Sequence, residues 1–175
     1  FMASIGVKNI YVLNDTETYG QGVGQALISA AKKNNLTVCN DAATATSGAG
    51  WSAAASNYEA LFTKIATSCA GGKAPDLVYL AGIFDNNGGQ LVKDKVKVLG
   101  DNTKVKFMMP DGFTGYPDFL ALKEAQGAYL SFTGLSIDQF PKGGAAEKFQ
   151  AAYLKEYKVA PTSSFSVYGA AAAQV

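Results

Sequence analysis

Hydrophobic residues fall along this chain in five short runs, at 8–14, 36–39, 77–81, 104–109 and 128–132. Each has the length of a strand, and polar or glycine-containing residues stop it. Segments of helical period lie between them. After the first run, Val23, Leu27, Ile28 and Ala31 form one stripe of a helix spanning 20–34. Leu61, Phe62 and Ile65 mark a second helix that ends near Cys69. Leu91, Val92, Val96 and Leu99 mark a third, closed by Gly100, and a short helix at 118–123 leads to the last run. This alternation predicts an α/β fold: a doubly wound, parallel five-stranded sheet flanked by helices, with right-handed crossovers. In such a sheet ligands bind outside the carboxyl ends of the strands.

Thr18 with Gln21, and Ser56 with Glu59, have the spacing of capping boxes and predict two helix starts. Residues 41–55, rich in Ala, Thr, Ser and Gly, read as a loop without periodicity. Residues 1–6 read as the last turn of a helix closed by Gly6. The pattern changes after Thr133. Pro141 is expected to open an amphipathic helix running to Lys158, residues 159–161 break it, and Ser163 or Ser164 starts an Ala-rich helix that includes 169–175. Two helices without an intervening strand do not continue the sheet. The expected division is therefore 1–133 and 134–175, and the chain reads as a piece of a longer protein.

Composition removes several functions. The 15 basic residues are all lysine, against 14 acids, and no basic block occurs. Without an arginine fork or a basic stripe, nucleic acid is not an expected partner. The absence of histidine removes His-based triads and His-ligated metals, and two cysteines alone do not make a structural zinc site. Cys39 and Cys69 are either buried free thiols or one disulfide. A bridge closing about thirty residues would add roughly 3–4 kcal/mol in the loop-entropy treatment, and would place the chain outside the cytosol. No run approaches the ~20 apolar residues of a membrane span, and no signal peptide is visible.

Candidate chemistry gathers at the predicted strand ends. Gly20-Gln21-Gly22-Val23-Gly24 invites a dinucleotide reading, but Gln25 stands where the third glycine belongs and the cluster begins too far from the strand. Close helix packing explains it better. Asp111, between Pro110 and Gly112, can hold an ammonium group or cap its own turn. Tyr19 and Phe84 follow the first and third runs and can wall an apolar pocket or cover loop backbone. Trp51 is either a lid residue or a loop anchor. No nucleophile elbow and no phosphate loop is present, so no catalytic residue, cofactor or enzyme activity is expected.

Several stretches together resemble a known family. Val12-Leu13-Asn14-Asp15-Thr16-Glu17-Thr18-Tyr19-Gly20-Gln21-Gly22 is similar to the strand and Tyr-Gly-x-Gly turn of type I periplasmic solute-binding proteins of the leucine/isoleucine/valine-binding kind. Tyr58–Ile65, Pro75–Gly82, Gly89–Lys93, Met109–Phe113 and Ala145–Tyr157 continue the resemblance in order. It implies a two-lobed, hinged receptor with residues 1 to about 133 as its second lobe and the remainder returning to the first. It further implies an extracytoplasmic location, in the periplasm or as a cell-surface lipoprotein anchored outside this chain, and delivery to the membrane permease of an ABC transporter. The same fold also serves as a sensor module. By resemblance, Asp111 would take the ammonium of an amino acid or similar small polar ligand, with Tyr19 and Phe84 as cleft aromatics. The resemblance also favours the Cys39–Cys69 disulfide.

Overall fold

The apolar run at residues 10–13 is wholly buried, which in an α/β fold means a strand covered on both faces. In the computed structural model, which describes residues 1–173, that run is β1 (Asn9–Asn14), an interior strand of a parallel sheet. The other strands are β2 (Thr37–Val38), β3 (Ala49–Gly50), β4 (Leu77–Ala81), β5 (Lys106–Met109) and β6 (Tyr129–Leu130). Their order is β2-β1-β4-β5-β6, with β3 also pairing β1. β1 and β4 share the longest register, from Ile10 opposite Leu77 to Asn14 opposite Ala81.

Helices cover both faces, as the alternating pattern predicts. On one face α1 (Thr18–Lys33) packs Ile28 and Ala31 against Ile10, Val12, Leu77 and Tyr79. Alternation turns Leu13, Val78 and Leu80 to the other face. There α2 (Glu59–Ile65) and α3 (Gly88–Leu99) pair and bury Phe62, Ile65, Leu91 and Val92. α4 (Pro117–Ala121) is a single short turn before β6. The first residues form a 3₁₀ turn, Ala3–Ile5, closed by Gly6 at φ 81°.

Both predicted capping boxes are absent. α1 begins at Thr18 itself, and Gln21 Nε2 donates instead to the Thr16 carbonyl at 2.7 Å. α2 begins at Glu59, where the Tyr58 amide donates to Asp94 Oδ2 at 2.7 Å. The cap thus comes from α3, 36 residues away. Glu59 pairs with Lys97 at 2.7 Å rather than reaching back to its own helix start.

The stretch read as an unstructured loop is a detour of the edge strand. β2 pairs with Asn9 and Ile10, the chain leaves, and it returns as β3 opposite Leu13 and Asn14. Asn40 fills the gap with its side chain: Oδ1 accepts from the Val12 amide and Nδ2 donates to the Val12 carbonyl, both at 2.9 Å. A carboxamide presents the same donor and acceptor as a peptide group, so the ladder stays satisfied where no backbone is available.

Cys39 and Cys69 form a disulfide with Cα atoms 4.8 Å apart. It ties the end of β2 to the turn after α2, and it points to an oxidising, extracytoplasmic environment. Among the described residues no helix is long and apolar enough to cross a membrane.

The chain packs as two compact units. The first comprises Phe1–Phe113 and Pro117–Ser131 and contains the whole sheet; the second comprises Thr114–Tyr116 and the residues from Phe132 onward. Within the second, α5 (Ala145–Tyr157) starts after Gly144 rather than at Pro141 and stops at Lys158 (φ 60°). A 3₁₀ turn at Ile137–Gln139, with Ser136 and Gln139 as a capping box, takes up part of the preceding chain. α6 (Ser164–Ala172) is capped by Ser163, which accepts from the Phe165 amide at 3.2 Å. Gln174 and Val175, expected in this helix, lie outside the described residues.

Candidate functional site

The site is built where the loops after β1, β3, β4 and β5 meet at the carboxyl end of the sheet. Asn14 ends β1 and fixes its exit. Its Nδ2 donates to the carbonyls of Ser47 (3.0 Å) and Gly48 (2.9 Å), and its Oδ1 accepts from the Thr16 amide at 2.9 Å. Thr16 is thereby held at φ 66°, a conformation costly for a β-branched residue. That corner turns the chain into α1 and carries Tyr19 to the lip.

Asp15 joins this loop to the one after β4. It is 3% exposed; its Oδ1 accepts from the Glu17 amide at 3.2 Å. Its Oδ2 accepts from the Ile83 amide (3.1 Å) and from Asn86 Nδ2 (2.9 Å). The contact requires glycine on both sides. A Cβ at Gly20 would lie 2.0 Å from Asp15 Oδ1, and one at Gly82 would lie 2.6 Å from Oδ2. Gly24 likewise admits the Ser47 carbonyl, which a Cβ would approach to 2.1 Å. The cluster at 20–24 is thus accounted for by close packing at Gly20 and Gly24.

Trp51 secures the third loop from beneath. It is 2% exposed, its indole Nε1 donates to the Asn86 carbonyl at 2.8 Å, and its amide donates to the Asn14 carbonyl at 2.9 Å. This is the position of a loop anchor. Asn86 therefore sits between Asp15 and Trp51, and hydrogen bonds tie the three loops together.

On this base the Tyr19 hydroxyl donates to Asp111 Oδ1 at 2.5 Å. Asp111 opens the 3₁₀ turn Asp111–Phe113 directly after β5 and Pro110. Tyr19 is 42% exposed and Asp111 half-buried, so solvent reaches the pair. Partial burial pushes the Tyr19 phenol well above its ordinary range, and the carboxylate beside it adds to the rise. The phenol accordingly stays protonated and serves as a donor. The phenol is a neutral hydrogen-bond partner for the carboxylate. The arrangement suits a ligand that brings a positive group.

Phe84 is held beside it, because its amide donates to the Gly112 carbonyl at 3.0 Å. Its ring meets Phe113 edge-on at 6.1 Å and Phe119 at 5.9 Å, and those two rings meet each other at 5.9 Å. Phe113 and Phe119 are buried while Phe84 is partly open. Edge-to-face aromatic clusters fix ring orientation, so a rigid apolar wall stands next to the acid. Tyr79, on β4, is 4% exposed; burial raises its phenol first, a hydrogen bond with Ser131 opposes the rise, and the charge of Asp111 adds to it.

The fold thus brings Tyr19, Phe84 and Asp111 to one end, with Trp51 below them and the cystine elsewhere, beside β2. Asp15, Asn86 and Tyr79 were not expected. Asp15 had a signal: a carboxylate directly after a buried strand, followed five residues on by a glycine. Asn86 had none, since only the fold places it against residues 71 positions away. No protein-family model and no curated protein sequence matches the chain.

Proposed function

We propose that this chain is the ligand-binding second lobe of an extracytoplasmic solute receptor of the type I periplasmic kind, serving an ABC importer. Its ligand is an amino acid or similar small polar molecule. The Tyr19–Asp111 hydrogen bond carries the reading: a carboxylate held at the carboxyl end of the sheet, reachable from solvent and bordered by Phe84. Such an acid takes an ammonium group through charge-assisted hydrogen bonds, worth about twice neutral ones. Phe84 and its neighbours then face the ligand's less polar part. The disulfide supports an extracytoplasmic location, for which periplasm or cell surface is our finer assignment. The sequence resemblance supports the permease as membrane partner.

Titration of the ¹⁵N-labelled chain tests the ligand class. An α-amino acid should shift the amides of residues 15–20, 82–86 and 110–113, and its deaminated 2-oxo acid should leave them unmoved. Equal shifts from the oxo acid, or shifts from nucleotides alone, would sink the ammonium reading.

A further inference from the structure

Two Asn-x-Thr acceptor sequences occur in the chain, Asn14-Asp15-Thr16 and Asn35-Leu36-Thr37. The fold treats them oppositely. Asn14 is 3% exposed and both ends of its carboxamide are engaged, with Ser47, Gly48 and the Thr16 amide. Asn35 is exposed, in the left-handed turn (φ 58°) that follows α1. Among the described residues its carboxamide joins no hydrogen bond; the neighbouring Asn34 supplies the side-chain bond to the Ala30 carbonyl. Thr37, which completes the acceptor sequence, is also exposed, at the start of edge strand β2.

We propose that Asn35 is an N-glycan acceptor when the chain is exported through a membrane carrying an oligosaccharyltransferase. The co-substrate is a lipid-pyrophosphate-linked oligosaccharide. The Asn35 amide nitrogen attacks its anomeric carbon. The nitrogen–carbon bond forms as the carbon–oxygen bond to pyrophosphate breaks, lipid pyrophosphate leaves, and the amide proton passes to a base of the transferase. The Cys39–Cys69 disulfide independently points to an extracytoplasmic compartment, where such enzymes work. Placement makes the modification compatible with ligand binding. Asn35 precedes β2, at the amino end of a parallel sheet, whereas Tyr19 and Asp111 lie at the carboxyl end. A glycan there also shields the free edge of β2, which would otherwise offer unpaired backbone to another chain.

The test is intact-mass analysis of the 175-residue chain secreted from a glycosylating host, before and after peptide N-glycosidase. One glycan is expected, on Asn35, with Asn14 unmodified. Asn35→Gln and Thr37→Ala should secrete without it, and Thr37→Ser should retain it. An unmodified wild-type mass, or a glycan on Asn14 of the folded chain, would overturn the proposal.

Discussion

Two ionic groups in the first unit show how differently one fold can use charge. Lys95, on α3, is fully buried, and its ammonium is closed in by oxygen. Nζ lies 3.2 Å from the carbonyls of Gly100 and Asp101 and 2.7 Å from Asn102 Oδ1, and it also donates to the Val105 carbonyl. The Phe107 ring lies 5.4 Å below. Asn102 in turn donates to the carbonyls of Glu124 (2.9 Å) and Gln126 (2.8 Å). An ammonium has three protons, and here it meets four oxygens. It holds the turn between α3 and β5, and its capacity is spent on the protein itself. Asp111 follows the same strand at its other end, where solvent reaches it and its hydroxyl partner. Burial distinguishes the structural charge from the one that solvent reaches.

The largest effect belongs to the saturated group. Lys95→Met should cost about 3–5 kcal/mol, because four oxygens lose their donor in a dry place. Urea unfolding measures it, and a loss below about 1 kcal/mol would mean water already serves that turn. Burial lowers Lys95 to about 8, whereas an unfolded lysine keeps 10.5. Between those values the unfolded chain binds more protons, so the lysine's contribution to stability rises with pH across that window. The gap between wild type and Lys95→Met should therefore widen from pH 8 to 10.

Opening the disulfide in Cys39→Ser/Cys69→Ser should cost roughly 3–4 kcal/mol, since the bond closes a 30-residue separation. The site amides should keep their chemical shifts in that variant. Asp15→Asn should cost about 2 kcal/mol, because three N–H donors then face an amide that can offer only one oxygen. Here the shifts of 82–86 should move, since the loops lose their tie. The smallest effect is spectroscopic. In an ultraviolet titration, Tyr19 should ionise far above pH 10, and Asp111→Asn should bring one tyrosine back toward that value.

The contrast also explains what the sequence could show. Buried strands announce themselves through runs such as 77–81, and α1 through its stripe, so the α/β architecture was legible. The placement of Tyr19, Phe84 and Asp111 at one end of the sheet was legible too, since each follows a strand. Lys95 was not: in Lys93-Asp94-Lys95-Val96-Lys97 it reads as one more charge on a wet helix face, and only the turn after Gly100 buries it. The helix starts were misplaced because Asp94 and Thr16 supply long-range or backbone partners that no local spacing encodes. β3 was missed because Asn40 interrupts the strand with a side chain that mimics backbone.

The central claim is that Asp111 is the reachable charge that recognises a ligand. The direct measurement is titration of wild-type and Asp111→Asn chains with the same α-amino acid, followed at the amides of 15–20, 82–86 and 110–113. The account predicts saturable shifts in the wild type and at least a tenfold weaker response in Asp111→Asn, the loss of about 1.4 kcal/mol or more expected for a charge-assisted hydrogen bond. Undiminished binding in Asp111→Asn would contradict it.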